Sequence, residues 1–99
     1  MSLPLIITPE AEQDLADAKA WYERKQEGLG ERFILCVEAA LDHIRRSPAG
    51  ATEIYPGVRR VVVRKFPYGV FYRVDPDQIG IIAVYHSKRD PRGWQSRTS

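Results

Sequence analysis

One cysteine in 99 residues, two histidines and no apolar run long enough to cross a bilayer remove several classes of protein at the outset. Cys36 has no internal disulfide partner, so nothing staples the chain and its core must hold by packing. The residue falls on the apolar side of a predicted helix, reads as a packed thiol and suits a reducing compartment. His43 and His86 lie far apart, and with one Cys they supply no ligand set at a metal-site spacing. Neither G-x-G-x-x-G nor G-K-[ST] occurs, so no loop is built to cradle a nucleotide phosphate, and no cofactor is expected. The start, "MSLPLIITPE", lacks the basic and apolar regions of a signal peptide, and no segment reaches roughly 18 apolar residues, so a soluble, cytoplasmic protein is expected. Ser87, His86 and Asp90 make a triad only on paper, because adjacent strand positions point to opposite faces.

What is present is enough apolar residue, 43%, for one domain over residues 1–99 with one core. The last stretch, "QSRTS" at 95–99, has the composition of a disordered tail. Charge is divided unevenly along the chain. Residues 1–57 hold six bases and ten acids, whereas 58–99 hold nine bases and three acids. A basic half attracts phosphate or an acidic protein surface, or is simply a charged exterior.

"LPLIIT" reads as a short strand, placed at a sheet edge by Pro4, which has no N–H to donate. Thr8 and Pro9 then announce a helix: an N-cap hydroxyl, a proline in the first turn, and Glu10, Glu12 and Asp14 where the dipole favours acids. Ala11, Leu15, Ala18 and Tyr22 form its apolar stripe, bordered by Trp21, and it stops near Gln26. After the punctuation of "EGLGE", Leu29, Phe33, Cys36, Val37, Ala40, Leu41 and Ile44 keep the helical period until Ser47 and Pro48. So short a link implies an antiparallel helical hairpin.

"AGATEIYPG" reads as a loop, and three strand-like runs follow: "VRRVVVRKF", "YGVFYRV" and "IGIIAVYH". Their short connections require antiparallel neighbours. Strict alternation places Val61 and Val63 opposite Arg60, Val62 and Arg64. In the last run it places Ile79, Ile81, Ala83 and Tyr85 opposite Ile82, Val84 and His86, and apolar residues on both faces make that strand an interior one. The expected class is α+β, in the order β-α-α-β-β-β: an N-terminal edge strand, a helical hairpin and a three-stranded antiparallel meander. The hairpin covers one face, leaving the other for function.

Chemistry-bearing residues gather at the end of the last strand. RNA cleavage needs a base for the 2′-hydroxyl, an acid for the leaving oxygen and a cation for the phosphate. His86 with Arg60, Lys88 or Arg89 fits that description, and so does a bland reading in which His86 merely ends a strand. Asp90 before Pro91 suits a turn. Trp94 reads either as a lid on the core edge or as an exposed interface anchor beside arginines.

"TPEAEQDLADAKAWYE", "GLGERF", "YPGVRRVVVRKFPYGVFYRV" and "IIAVYHSKRDPRGW", in this order and from about Ile6 to Trp94, resemble the RelE/ParE superfamily of type II toxin–antitoxin toxins. The resemblance implies the fold expected above and a toxin silenced by a cognate antitoxin. ParE-like members inhibit DNA gyrase, and RelE-like members cleave messenger RNA on the ribosome. The RelE-like pattern has an arginine where this chain has Gly69 and a lysine where it has Val62; Arg60 and Arg89 match, and Trp94 lies only near the terminal tyrosine. His86, Arg89, Asp90 and Pro91 look like the ParE-like ending. The resemblance therefore implies a non-enzymatic gyrase inhibitor touching its target through Arg59, Arg60, His86, Lys88, Arg89 and Trp94. Its antitoxin would dock on the flanks of Leu15, Trp21, Tyr22, Phe33 and Val37. The alternatives are a ribosome-dependent ribonuclease using Arg60, His86 and Arg89, and a non-toxic partner-binding module of the same fold.

Overall fold

A computed structural model describes residues 3–98. The element order is β1 (Leu5–Ile7), α1 (Pro9–Lys25), α2 (Leu29–Arg46), β2 (Glu53–Tyr55), β3 (Val58–Val62), β4 (Tyr68–Val74), β5 (Ile79–His86) and α3 (Arg92–Gln95), followed by a 3-10 turn, Ser96–Thr98. Thr8 does two jobs at the first junction. Its hydroxyl accepts from the Ala11 N–H at 3.2 Å, capping α1, and donates to the Ile81 carbonyl at 2.9 Å, fastening the helix start to β5. At the second junction the Glu23 carboxylate receives the Gly28 and Gly30 N–H groups at 2.9 and 3.0 Å. Those two backbone donors hold its pKa below the ordinary carboxyl value, so α2 is capped by a side chain of α1.

The hairpin buries Ala11, Ala18 and Tyr22 of α1 and Phe33, Val37, Ala40, Leu41 and Ile44 of α2 against Val63, Val70, Tyr72, Ile79, Ile81 and Val84 of the sheet side. Tyr22, Phe33, Phe66 and Tyr68 form an aromatic knot at one end, with Phe33 and Phe66 edge to face at 5.2 Å between centroids.

The sheet has five strands in the order β1-β5-β4-β3-β2, with β1 parallel to β5 and the other pairs antiparallel. The edge strand, the hairpin and the interior position of β5 are as the sequence predicts. The stretch read as a loop is not: it contains β2, three residues paired with Val58 and Arg59. Three residues are too few to display a period, and only the pairing makes them a strand. β5 also departs from strict alternation, because Phe71 pairs with Ala83 while its neighbour Tyr72 pairs with Ile81. Ile82 is the extra residue of a bulge, and every residue after it changes face relative to the expected alternation.

A second core results. Ile82, Ala83 and Tyr85 turn away from the hairpin and join Val58, Phe71 and Trp94, with Tyr55 at the margin. The sheet face expected to be free is thus partly covered by α3, and the segment after Trp94 is folded where composition reads it as disordered. Arg97 holds it, donating to both Asp14 oxygens at 2.6 and 3.1 Å and to the Ile82 carbonyl at 3.0 Å. Ser99 lies outside the described residues.

In the β3–β4 connection, Lys65 occupies the left-handed region at φ 66°, a conformation that costs a side-chain-bearing residue about 1 kcal/mol or more. Lys65→Gly is expected to raise stability by about 0.5–1 kcal/mol, the relief exceeding the entropy glycine adds to the unfolded chain. Urea denaturation should show the midpoint rising at constant slope.

Candidate functional site

On the face of the sheet turned from the hairpin, Arg60 borders a recess beside Tyr85, and the Arg89 and Arg97 guanidinium groups lie against the Tyr85 ring. Arg60, on β3, lays its stem over Gly69 of β4: a Cβ on Gly69 would stand 2.9 Å from Arg60 Cδ and 3.0 Å from Cγ. Gly69 pairs with Tyr85, and the Arg89 guanidinium sits 4.5 Å from the centre of the Tyr85 ring. Arg60 and Arg89 therefore flank Tyr85 from the β3 side and from the turn after β5. Both are exposed, and among the described residues neither forms an ion pair. A recess of about 220 Å³ lined by Arg60, Val62, Gly69, Phe71, Tyr85 and Ser87 opens beside Arg60.

His86 lies on the opposite face of β5 from Tyr85 and shares with Arg89 the concavity beside α1. The bulge turns it toward α1, where its ring meets Tyr68 edge to face at 5.2 Å. The Lys88 N–H donates to His86 Nδ1 at 3.0 Å, so the neutral ring carries its hydrogen on Nε2 and offers a donor there. Lys88 itself is exposed in the turn.

Two residues expected at a target surface are structural. Arg59 points to the hairpin side and donates to the Ala49 and Ala51 carbonyls at 3.2 and 2.5 Å, tying down the chain between α2 and β2. Trp94 is 4% exposed, its ring 4.6 Å from Phe71 and 5.4 Å from Tyr55. A Cβ at Gly93 would overlap the Tyr85 hydroxyl, which donates to the Asp90 carbonyl at 2.8 Å, so α3 lies directly on that ring. Asp90 receives Arg92, chiefly through its side chain and then its backbone N–H, and these bonds hold the carboxyl below its usual range.

Of the residues expected to flank an antitoxin site, Phe33, Val37 and Tyr22 are core, Leu15 is half-buried, and Trp21 alone is exposed. The larger exposed apolar residues lie elsewhere: Leu35 at 62% and Val62 at 64%. They line a groove of about 460 Å³ between α2 and β3, with Cys36, Ala39, His43, Arg64 and Lys65. Arg32 and Lys65 border its continuation toward Leu29 and Phe66. Leu35 is visible in the sequence as a leucine off the apolar stripe of α2, a signal the periodicity passes over.

Among the described residues, no three His, Cys, Asp or Glu side chains are grouped to hold a metal ion, and no helix is long and apolar enough to cross a membrane.

The family model described as "ParE toxin of type II toxin-antitoxin system, parDE" matches residues 5–91. The chain belongs to this ParE toxin family. Toxin ParE2 of Mycobacterium tuberculosis, in strains CDC 1551 / Oshkosh and ATCC 25618 / H37Rv, is 27% identical over 89 residues, which cover 89% of this chain and 85% of the relative. Among solved structures, the chromosomal ParDE toxin–antitoxin system from P. aeruginosa superposes with a TM-score of 0.75 at 20% identity, over 87% of this chain and 97% of the other. The YoeB dimer from Staphylococcus aureus does so with a TM-score of 0.59 at 18% identity, over 85% and 97%. Both show the same fold. The ParE family match contains Arg60, Gly69, Tyr85 and Arg89 and ends at Pro91, so the α3 cover and its Arg97 anchor lie beyond it.

Proposed function

We propose that this ParE-family chain is the toxin of a toxin–antitoxin pair, that it inhibits DNA gyrase, and that Arg60, Lys88 and Arg89 form its contact surface. The observation that carries the reading is the packing of Arg60 over Gly69. The ribonuclease pattern asks for an arginine at the Gly69 position in addition to Arg60, and here Arg60 lies over bare backbone instead. What remains is Arg89 against the Tyr85 ring with Arg60 over the neighbouring Gly69, and His86 beside Arg89 in the cleft along α1 without the further arginine of the ribonuclease set. Such a surface binds an anionic macromolecule without supplying paired acid and base at one phosphodiester.

A cognate antitoxin would silence the toxin from the groove between α2 and β3. Exposed Leu35 and Val62 give that groove an apolar floor, and Arg32, Arg64 and Lys65 give it a basic rim, suited to an acidic amphipathic segment.

Purified protein added to a gyrase supercoiling reaction is expected to inhibit it. Arg60→Glu and Arg89→Glu should each raise the inhibitory concentration about tenfold or more, as a charge reversal at a contact costs at least ~1.4 kcal/mol. Supercoiling at the normal rate, together with cleaved transcripts in expressing cells, would replace this reading with the ribonuclease.

A further inference from the structure

Tyr85 is a tyrosine at a position where burial alone would favour phenylalanine. It is 2% exposed and belongs to the second core, so its hydroxyl needs a partner inside the protein. That partner is the Asp90 carbonyl, at 2.8 Å. Gly93 makes the room, since a Cβ there would overlap the hydroxyl oxygen and stand 3.1 Å from Cζ.

The hydroxyl completes a turn in which every residue from Ser87 to Asp90 has a backbone group tied. The Ser87 N–H donates to the Pro67 carbonyl at 2.8 Å, the Lys88 N–H to His86 Nδ1 at 3.0 Å and the Arg89 N–H to the His86 carbonyl at 3.2 Å. The Asp90 carbonyl accepts from Tyr85. The cationic side chains of the turn are left out of this network: Lys88 and Arg89 are exposed, and among the described residues neither forms an ion pair. A fixed backbone thus carries two uncommitted charges.

The Tyr85 ring acts on one of them. The Arg89 guanidinium lies 4.5 Å from the ring centre and the Arg97 guanidinium 5.8 Å. Two bare cations beside one ring would repel each other, but Asp14 neutralises Arg97 across 2.6 Å. Arg97 is thereby committed, and Arg89 is the cation left to act. An arginine that is loose in the free protein gives up rotamer freedom when it meets a partner, whereas one already held on a ring loses less.

We propose that Tyr85 is a positioning residue of the toxin's contact surface: its hydroxyl closes the turn that carries Arg89, and its ring holds the guanidinium in the orientation that meets the target. That role rests on the gyrase reading for its target, whereas the placement of Arg89 is a property of the free chain. Tyr85 has almost no surface of its own to offer and acts through Arg89.

Two measurements on the full chain test this. In NMR spectra recorded without gyrase, the Arg89 Nε–H resonance is expected to be displaced by the Tyr85 ring current. Tyr85→Leu should move it to the position of a freely solvated arginine, and Tyr85→Phe should move it part of the way. In the supercoiling assay, Tyr85→Phe should raise the inhibitory concentration about threefold, for one lost hydrogen bond, and Tyr85→Leu about tenfold, for the bond and the ring contact together. In an Arg89→Gln background both changes should have less than about a twofold effect, whereas a tyrosine that only supports the fold would weaken inhibition equally in either background. Should Tyr85→Leu not fold, Tyr85→Phe carries both measurements. An Arg89 resonance unmoved by substitution of Tyr85, or equal losses of inhibition with and without Arg89, would overturn the proposal. If the natural protein leaves supercoiling unimpaired, the gyrase reading falls, and the resonance alone decides whether Tyr85 positions Arg89.

Discussion

Arg97→Ala is expected to lower the unfolding free energy by about 3 kcal/mol or more. The side chains of Arg97 and Asp14 are only 19% and 8% exposed, and two nitrogens of the guanidinium meet two oxygens of the carboxylate. Removing one partner leaves the other charge nearly enclosed, which costs more than the pair itself contributes. Here the loss spreads, because Asp14 also accepts the Val84 N–H and Arg97 also satisfies the Ile82 carbonyl. The pair thus joins α1, the edge of β5 and the segment after α3. Arg97→Lys keeps the charge but loses the fork, and should fall between the alanine variant and the natural protein.

The pH dependence of the arginine has a definite sign. Its hydrogen bond to Asp14 raises the Arg97 pKa above the ordinary guanidinium value. A group whose folded pKa is raised contributes fully below its unfolded value and is lost only as pH rises through the folded one. The stabilisation from Arg97 should therefore be flat across the neutral range. Guanidinium chloride denaturation of Asp14→Asn, Arg97→Gln and the double variant measures the coupling, and a coupling below about 0.5 kcal/mol would show the pair to be solvated.

Trp94→Ala is expected to cost about 3–5 kcal/mol, the usual range for deleting a buried large aromatic ring. That is a large share of the roughly 5–15 kcal/mol by which single domains are stable. The ring is stacked at a 33° tilt on Phe71 and meets Tyr55 edge to face, so its loss opens the second core from the centre. This outcome separates two roles that share a sequence signature. A tryptophan that contacts a target can be removed with stability intact and inhibition lost, whereas Trp94→Ala should unfold at markedly lower denaturant while Trp94→Phe recovers most of the difference. Thermal and chemical denaturation of the two variants, measured beside their effect on supercoiling, distinguishes the roles.

Much of the scaffold was legible because it is written in local periods. Thr8 and Pro9 start α1 as capping chemistry requires, and the stripe from Leu29 to Ile44 lies on the buried side of α2. Pro4 precedes an edge strand, and the short connections give antiparallel neighbours. Less of the site was legible. Arg60 and Arg89 do flank one surface feature, but Arg59 serves a loop, His86 faces α1 and Trp94 is core. Arg59 and Trp94 take structural roles because of contacts with distant segments, Ala49 and Ala51 for the one and Tyr55 and Phe71 for the other, which no local pattern announces.

The polarised charge, the two amphipathic helices, the strand-rich second half and the family motifs all follow from residues within a few positions of one another, so the sequence determines them unaided. The facing of residues after Ile81 does not. It depends on a single extra residue at Ile82, which has no local signature because the two-residue period simply restarts in the opposite phase. Nor does order after Trp94, since the ion pair responsible joins residues 83 positions apart. A short polar segment reads as disordered until folding brings a nearly enclosed carboxylate within 2.6 Å of its arginine. Local chemistry chose the elements of this toxin. Only their assembly decided which cations face outward, because a side chain's surroundings are set by the strand beside it and not by its neighbours in the chain.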